Sequence, residues 1–329
     1  MIQFNNSNYL LICLKKSFIF DYNFVYLINS NFFQMILVNN KTRYDAIVVG
    51  SGISGGWAAK ELCEAGLKTL VLERGRMVKH VEDYPTMHND IWDLPHSSRT
   101  PNEIVDKHYF KQKRWGFDEN NRHFYNKDSD HDYDEIKPFD WIRGKQVGGR
   151  SLIWGRQTYR WSDLDFNANA KDGYGVDWPI RYKDIAPWYS RVEKFIGVSG
   201  EALNLSQLPD SEFLPPMELN CLESHVKKIL LEKYNDRIMT IGRVAHITNG
   251  NKKGAGRTAC QYRNRCERGC PYGSYFSSNS STLPVAEATG NLTLKSDSIV
   301  SEVLYDTKMQ KARGVRVIDA ITKEVVEYE

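Results

Sequence analysis

Charge of one sign, cysteine and long apolar runs are all scarce in this sequence, and each shortage removes a class of protein. Lys+Arg number 44 against 41 Asp+Glu, a formal net charge of +3 over 329 residues. A balance so close to neutral gives no whole-chain reason to bind nucleic acid or an anionic membrane. Six cysteines in this length are too few for a small secreted disulfide scaffold. No stretch reaches the ~18–20 uninterrupted apolar residues that a membrane-spanning helix needs. The hydrophobic fraction is 41%, with 12% aromatic, which supports a sizeable core and excludes a disordered chain. The length allows one large domain or two ordinary ones.

Acid is also missing locally. Residues 1–34 are rich in Asn, Phe, Tyr, Leu and Ile and hold one acidic residue, Asp21. Lys15 and Lys16 interrupt the apolar run and no small-residue cleavage site follows, so a secretory signal does not fit. The expectation is that Met35 is the start and that 1–42 form an extension outside the fold. The compartment, cytoplasm or periplasm, is left open.

From Tyr44 the chain becomes patterned. Residues 44–49 read as a short buried strand, 55–65 as a helix stopping at Gly66, and 68–73 as a second buried strand. This is a βαβ unit. Residues 76–137 are polar and irregular, a lid or insertion. Their acidic tract Asp128–Glu135 matches no metal-ligand spacing and reads as a solvated loop. Residues 181–197 and 219–233 read as helices. Four β-rich runs close the chain, at 292–295, 299–305, 313–319 and 323–328, and the last three suggest an antiparallel meander.

The strongest motif is Gly50-Ser51-Gly52-Ile53-Ser54-Gly55. It follows a strand and opens a helix, and Glu73 ends the next strand 18 residues past Gly55, which is the context a dinucleotide fingerprint requires. Gly50 permits the turn, Gly52 lets backbone approach a pyrophosphate, and Gly55 lets the helix pack close to the strand. The helix N-terminus offers N–H groups and a positive dipole end to phosphate. Glu73 can accept hydrogen bonds from ribose hydroxyls and would repel a 2′-phosphate. A second glycine segment, Gly148-Gly149-Arg150-Ser151-Leu152-Ile153-Trp154-Gly155, lies about ninety residues further on, and Asp177-Trp178-Pro179-Ile180 follows.

This combination resembles the GMC (glucose–methanol–choline) oxidoreductases, and within them the bacterial sugar and polyol dehydrogenases, over residues 43 to 329. The resemblance implies an α/β fold, α+β overall: a Rossmann-like FAD-binding domain with a βαβ start and an antiparallel meander, plus irregular and helical substrate-side insertions, and with the C-terminal part missing. It divides the chain into FAD-binding segments at 43–75, 138–165 and 251–329, the last incomplete and holding the cysteines. The lid at 76–137 and a substrate-side region at 166–250 separate them. It implies that FAD is held by Gly50, Gly52, Ile53, Ser54, Gly55, Glu73, Arg74, Gly148, Gly149 and Ser151, with backbone at Val300 against the adenine. Leu152 and Ile153 stand where relatives with covalent flavin carry a His, so a noncovalent flavin is implied.

Cys260, Cys266 and Cys270 form C-x5-C-x3-C, whereas Cys13, Cys63 and Cys221 are isolated and Cys63 reads as helix core. A four-ligand zinc site lacks its fourth donor, His246 being distant in sequence, and a disulfide would leave one thiol over. Three cysteines suit a three-iron iron–sulfur cluster, one thiolate per iron, and Arg257, Arg263, Arg265 and Arg268 would offset its negative charge; the alternatives are structural or reactive thiols, with the arginines a solvated surface. The resemblance implies such a cluster in some relatives.

The function expected is FAD-dependent oxidation of a CH–OH group of a sugar or polyol, with electrons passing to an external acceptor such as a cytochrome or to a small partner subunit. The family's catalytic His and its His/Asn partner are expected beyond Glu329, so no catalytic residue is assigned. Neither nucleic acid nor a direct membrane span is expected. The alternatives are a non-catalytic fragment of such an enzyme and an NAD(P)H-flavoprotein reductase, which needs a second G-x-G-x-x-G that the sequence lacks.

Overall fold

The computed structural model describes residues 38–39, 43–114, 116–130, 133–234 and 236–329. Apart from 38–39, the extension assigned to 1–42 lies outside the described residues, as do Cys13, His131 and Asp132. The fold is mixed α/β. The chain order is β1 (Val38–Asn39), β2 (Ala46–Val49), α1 (Ile53–Glu64), β3 (Thr69–Leu72), α2 (Asn102–His108), α3 (Asp163–Phe166), α4 (Ala168–Asp172), α5 (Tyr182–Ile196), α6 (Cys221–Lys233), α7 (Thr282–Glu287), β4 (Leu292–Lys295), β5 (Ser298–Asp306), β6 (Lys311–Asp319) and β7 (Val325–Tyr328). Two compact units result, one of residues 44–300 and one built mainly on 301–329.

In the 44–300 unit, β2, β3 and β4 form a parallel sheet in that order, with Ala46 opposite Thr69 and Thr69 opposite Leu292. The expected βαβ start is therefore present. The β3 run Thr-Leu-Val-Leu is buried at every position, as a central parallel strand must be. Helix α1 lays Ala59 and Cys63 against Val71 and Ala286, with Val48, Leu292 and Leu294 around them. Gly66 (φ +85°) stops it, its N–H donating to Cys63 O at 3.0 Å. Small residues allow the close packing. A Cβ built on Gly55 would lie 1.9 Å from Gly50 O, and one on Gly56 2.6 Å from Thr282 Oγ1.

The irregular region 76–137 contains core that its polar composition hides. Val78, Tyr84, Tyr109, Phe124 and Tyr125 bury against Leu152. The acidic tract corrects the solvated-loop expectation in part. Asp128 is buried and accepts from Lys111 N (2.9 Å), Gln112 N (3.3 Å) and Gln112 Nε2 (2.7 Å), while Glu135 pairs with Lys111. Its oxygens organise a turn rather than face water. Arg160 and Glu193 form a buried bidentate pair that fixes α5 to the 157–162 segment.

In the other unit, β1, β7, β6 and β5 are neighbours in that order. β6 and β7 pair antiparallel with Val317 opposite Val326. Along β6 the buried Val315 and Val317 alternate with Arg316, which pairs with Glu302 and Glu327. The meander expected for the last three runs is thus present at β6–β7, with β5 on its flank, while the run at 292–295 joins the parallel sheet.

Two outcomes follow for stability. Gly55→Ala should lower unfolding free energy in urea by about 3 kcal/mol, because the clash is with backbone, whereas Gly52→Ala, with nothing within 4 Å of its Cβ, should stay within about 0.5 kcal/mol. Burial also holds His80, His123 and His246 down at about 4 against 6.5 for the free side chain, aided by Arg257, by Arg76 and Arg122, and by Arg156 respectively. The unfolded chain then binds more protons between those values, so stability is full above about 6.5 and falls as pH drops toward 4. Denaturation midpoints measured across that window should decline, and less steeply in a His80→Gln, His123→Gln double variant.

Candidate functional site

The two glycine segments meet at the carboxyl end of β2 and β3, the edge where parallel sheets place ligands. A Cβ built on Gly149 would sit 3.4 Å from Gly52 Cα, so the segments touch backbone to backbone. A buried chain of hydrogen bonds holds them. Glu73 Oε2 accepts from Ser51 N (3.0 Å) and Ser51 Oγ (2.6 Å), and Oε1 accepts from Gly75 N (3.0 Å). Ser51 Oγ in turn accepts from Gly148 N (3.0 Å). Ser151 Oγ donates to Gly148 O (2.6 Å) and accepts from Ser278 N (3.0 Å), and Ser278 Oγ donates to Gly52 O (3.1 Å). Glu73, Ser51, Ser151 and Ser278 are all buried.

Gly50 and Gly148 both take φ near +90°, which explains glycine at each turn. The cradle fits a dinucleotide on several counts. Helix α1 has no side-chain cap on its first N–H groups and no acid in its first turn, so its positive end is uncompensated. Ile53 and Ser54 are exposed there, and space is open where Gly50 and Gly52 would carry a Cβ. Asn279 Oδ1 is buried without a partner beside Gly148. Lys145 is pushed down to about 8, first by burial and then by Arg74 and Arg143, marking a cationic flank next to Gly75 that suits an anion. Asp297 N and Ser298 N donate to Gly75 O and Glu73 O, both at 2.8 Å, which fixes the chain just before Val300 to the Glu73 strand end.

The structure therefore brings Gly50, Gly52, Ile53, Ser54, Gly55, Glu73, Gly148, Gly149 and Ser151 into one place. Glu73 is less open to a ribose than its motif role suggests, because three protein donors already occupy it. Sequence reasoning gave no role to Ser51 or to 277–282. Ser277 through Thr282 are polar, and all six are buried. Their small hydroxyls satisfy backbone groups where the glycine segments cross. The signal was a run of small hydroxyl residues leading straight into a helix start.

Cys260, Cys266 and Cys270 line a cavity of about 260 Å³ together with His246, Met217, Tyr262 and Tyr272. All three thiols are free, and among the described residues no three or more His, Cys, Asp or Glu converge on one metal-ion position. Burial holds the Cys266 thiol above its ordinary value, against the opposing pull of Arg156. The arginines expected to neutralise this site also hold the loop in place, and Arg263 and Arg265 line the cavity beside the thiols. Arg257 is buried and donates to Gly273 O and Ile196 O, while Arg263, Arg265 and Arg268 donate to the carbonyls of Met87, His88 and Asn89. They tie the cysteine loop down, and Arg156 is the cation that acts on Cys266. A second cavity of about 220 Å³ is lined by Asn121, Tyr125, Trp154, Arg156 and Glu267 among others, so consecutive residues Cys266 and Glu267 face different cavities.

No family model matches the chain. It is 26% identical over 292 residues to the 2-methyl-1,2-propanediol dehydrogenase of Mycolicibacterium austroafricanum, covering 84% of this chain and 46% of that protein. It is 25% identical over 325 residues to the gluconate 2-dehydrogenase flavoprotein of Pantoea cypripedii, covering 88% and 50%. The solved structure of a formate oxidase from Aspergillus oryzae superposes with a TM-score of 0.41 at 14% identity, covering 88% of this chain and 44% of that one. The chain spans about half the length of the curated relatives it matches. With a two-segment glycine cradle on its βαβ unit, the chain has homologues along most of its length that are GMC-family oxidoreductases.

Proposed function

We propose that the chain carries the FAD-binding part of an oxidoreductase acting on a CH–OH group of a sugar or polyol. The observation that carries this reading is the buried Glu73–Ser51–Gly148 linkage, which joins two glycine segments into one dinucleotide cradle. The names of the relatives, a diol dehydrogenase and a gluconate dehydrogenase flavoprotein, support the chemistry.

Bound there, FAD supplies the hydride acceptor for the substrate C–H. The chain's own residues do the holding. The uncapped start of α1, with Gly50, Gly52, Ile53, Ser54 and Gly55, receives the pyrophosphate. The free capacity of Glu73 Oε1 meets the ribose, Arg74 and Lys145 add positive charge, and backbone at Val300 lies on the adenine side. Gly148, Gly149 and Ser151 lead toward the flavin. The cavity beside Trp154 offers Asn121, Arg156 and Glu267 as polar partners and an indole face, a surface suited to a polyhydroxylated substrate. Oxidising an alcohol also requires a base for the hydroxyl proton. No residue described here is assigned to it.

The same reading gives Cys260, Cys266 and Cys270 to an iron–sulfur cluster. The fit rests on three soft donors around one cavity, and on Tyr262 N, which donates to Cys260 Sγ at 3.4 Å as amides do to cluster sulfurs. Such a cluster supplies a one-electron exit, toward a cytochrome or a small partner subunit.

FAD titration of the purified chain, followed by flavin fluorescence, tests the cradle. About one FAD per chain is expected, with Gly52→Ala keeping its thermal midpoint while losing affinity by about a hundredfold. Equal FAD affinity in the two proteins would overturn the assignment.

A further inference from the structure

We propose that His246 is the fourth donor of the cysteine site, making it a Cys3His site for a four-iron, four-sulfide cluster. The inference rests on reading the three cysteines as a cluster site and goes beyond it by adding a ligand that the C-x5-C-x3-C spacing does not contain.

Chain pairing delivers the imidazole to the thiols. Residues 244–247 run between the two arms of the cysteine segment. Cys260 N donates to Ile247 O (2.8 Å) on one side, and Ile247 N donates to Ser274 O (2.9 Å) on the other. His246 itself stands opposite Tyr275 in an antiparallel bridge. Its neighbours Ala245 and Ile247 are fully buried. Alternation along an extended segment then turns His246 to the opposite face, and there it lines the cavity with Cys260, Cys266 and Cys270.

The side chain is otherwise unemployed. Nδ1 and Nε2 of His246 are both buried and neither has a hydrogen-bond partner. A buried imidazole with both nitrogens unsatisfied is costly, and metal ligation is one of the few roles that removes the cost. Imidazole is an established alternative to thiolate as an iron–sulfur ligand.

The space available favours a cluster over a single ion. A tetrahedral zinc binds at about 2.0–2.3 Å and leaves no free volume between its ligands, whereas these four side chains help to line an open cavity of about 260 Å³. Donors spread around a cavity suit a group in which each meets a different metal atom.

The test uses the full chain, reconstituted anaerobically with ferrous iron and sulfide, alongside His246→Ala and His246→Cys. Far-UV circular dichroism establishes that each is folded. Wild type should hold about four iron and four sulfide per chain and show an electron paramagnetic resonance signal only after reduction. His246→Ala should hold about three iron and show its signal in the oxidised state, and His246→Cys should restore the four-iron form. A wild-type protein with the oxidised-state signal and iron content of His246→Ala would overturn the role of His246 while leaving a cysteine-held cluster standing. One zinc per chain from a zinc-only arm, with no uptake of iron, would overturn the cluster itself. A wild type that binds neither metal would overturn the reading of the cysteines and the inference with it.

Discussion

Glu73 stands at the end of β3 with its carboxylate buried, and the cradle is arranged around that one group. A buried carboxylate must be hydrogen-bonded, and bonds to it are worth about 1.5–3 kcal/mol each. Here the donors are Ser51 and Gly75, and Ser51 passes the constraint on by accepting from Gly148. Two segments almost a hundred residues apart are thereby held in register through a single hydroxyl. Ser151 and Ser278 extend the chain of bonds back to Gly52 O, closing a loop of polar contacts under the open face of the glycines. The face that would meet a ligand stays backbone, while the side chains that shape it lie beneath.

The cysteine region is built on the same plan. Its shape comes from short extended segments, 244–247, 258–260 and 274–276, that bond to one another outside any regular sheet. Arginines from the cysteine loop grip the carbonyls of Met87, His88 and Asn89, which anchors the loop, and Arg263 and Arg265 also line the cavity with the thiols. Arg156 adds a further cation. It borders the cavity beside Trp154 and acts on Cys266 and His246, so one guanidinium influences both cavities.

Much of the fold was legible because its signals are local. The β2–α1–β3 unit has a β-branched strand, a glycine turn and a glycine stop, and the structure matches each within one or two residues. Helices form at 182–196 and 221–233, within one or two residues of the expected ranges. The candidate site was legible where glycine is forced by geometry, at Gly50, Gly55 and Gly148. It was illegible where polar residues are buried by distant partners. The run 277–282 and Asp128 look solvated by composition, and only long-range pairing shows that they satisfy buried backbone. His246 was set aside because it is distant in sequence from the cysteines, a distance that the pairing of 244–247 removes.

The Glu73–Ser51–Gly148 linkage shapes the dinucleotide cradle from below. Ser51 is fully buried and carries no contact surface of its own, so the direct measurement is the FAD dissociation constant of Ser51→Ala against wild type. The expected result is an affinity lower by roughly tenfold or more, accompanied by a loss of stability. An unchanged dissociation constant in a destabilised but folded Ser51→Ala would contradict the claim, because the cradle would then keep its shape without the linkage.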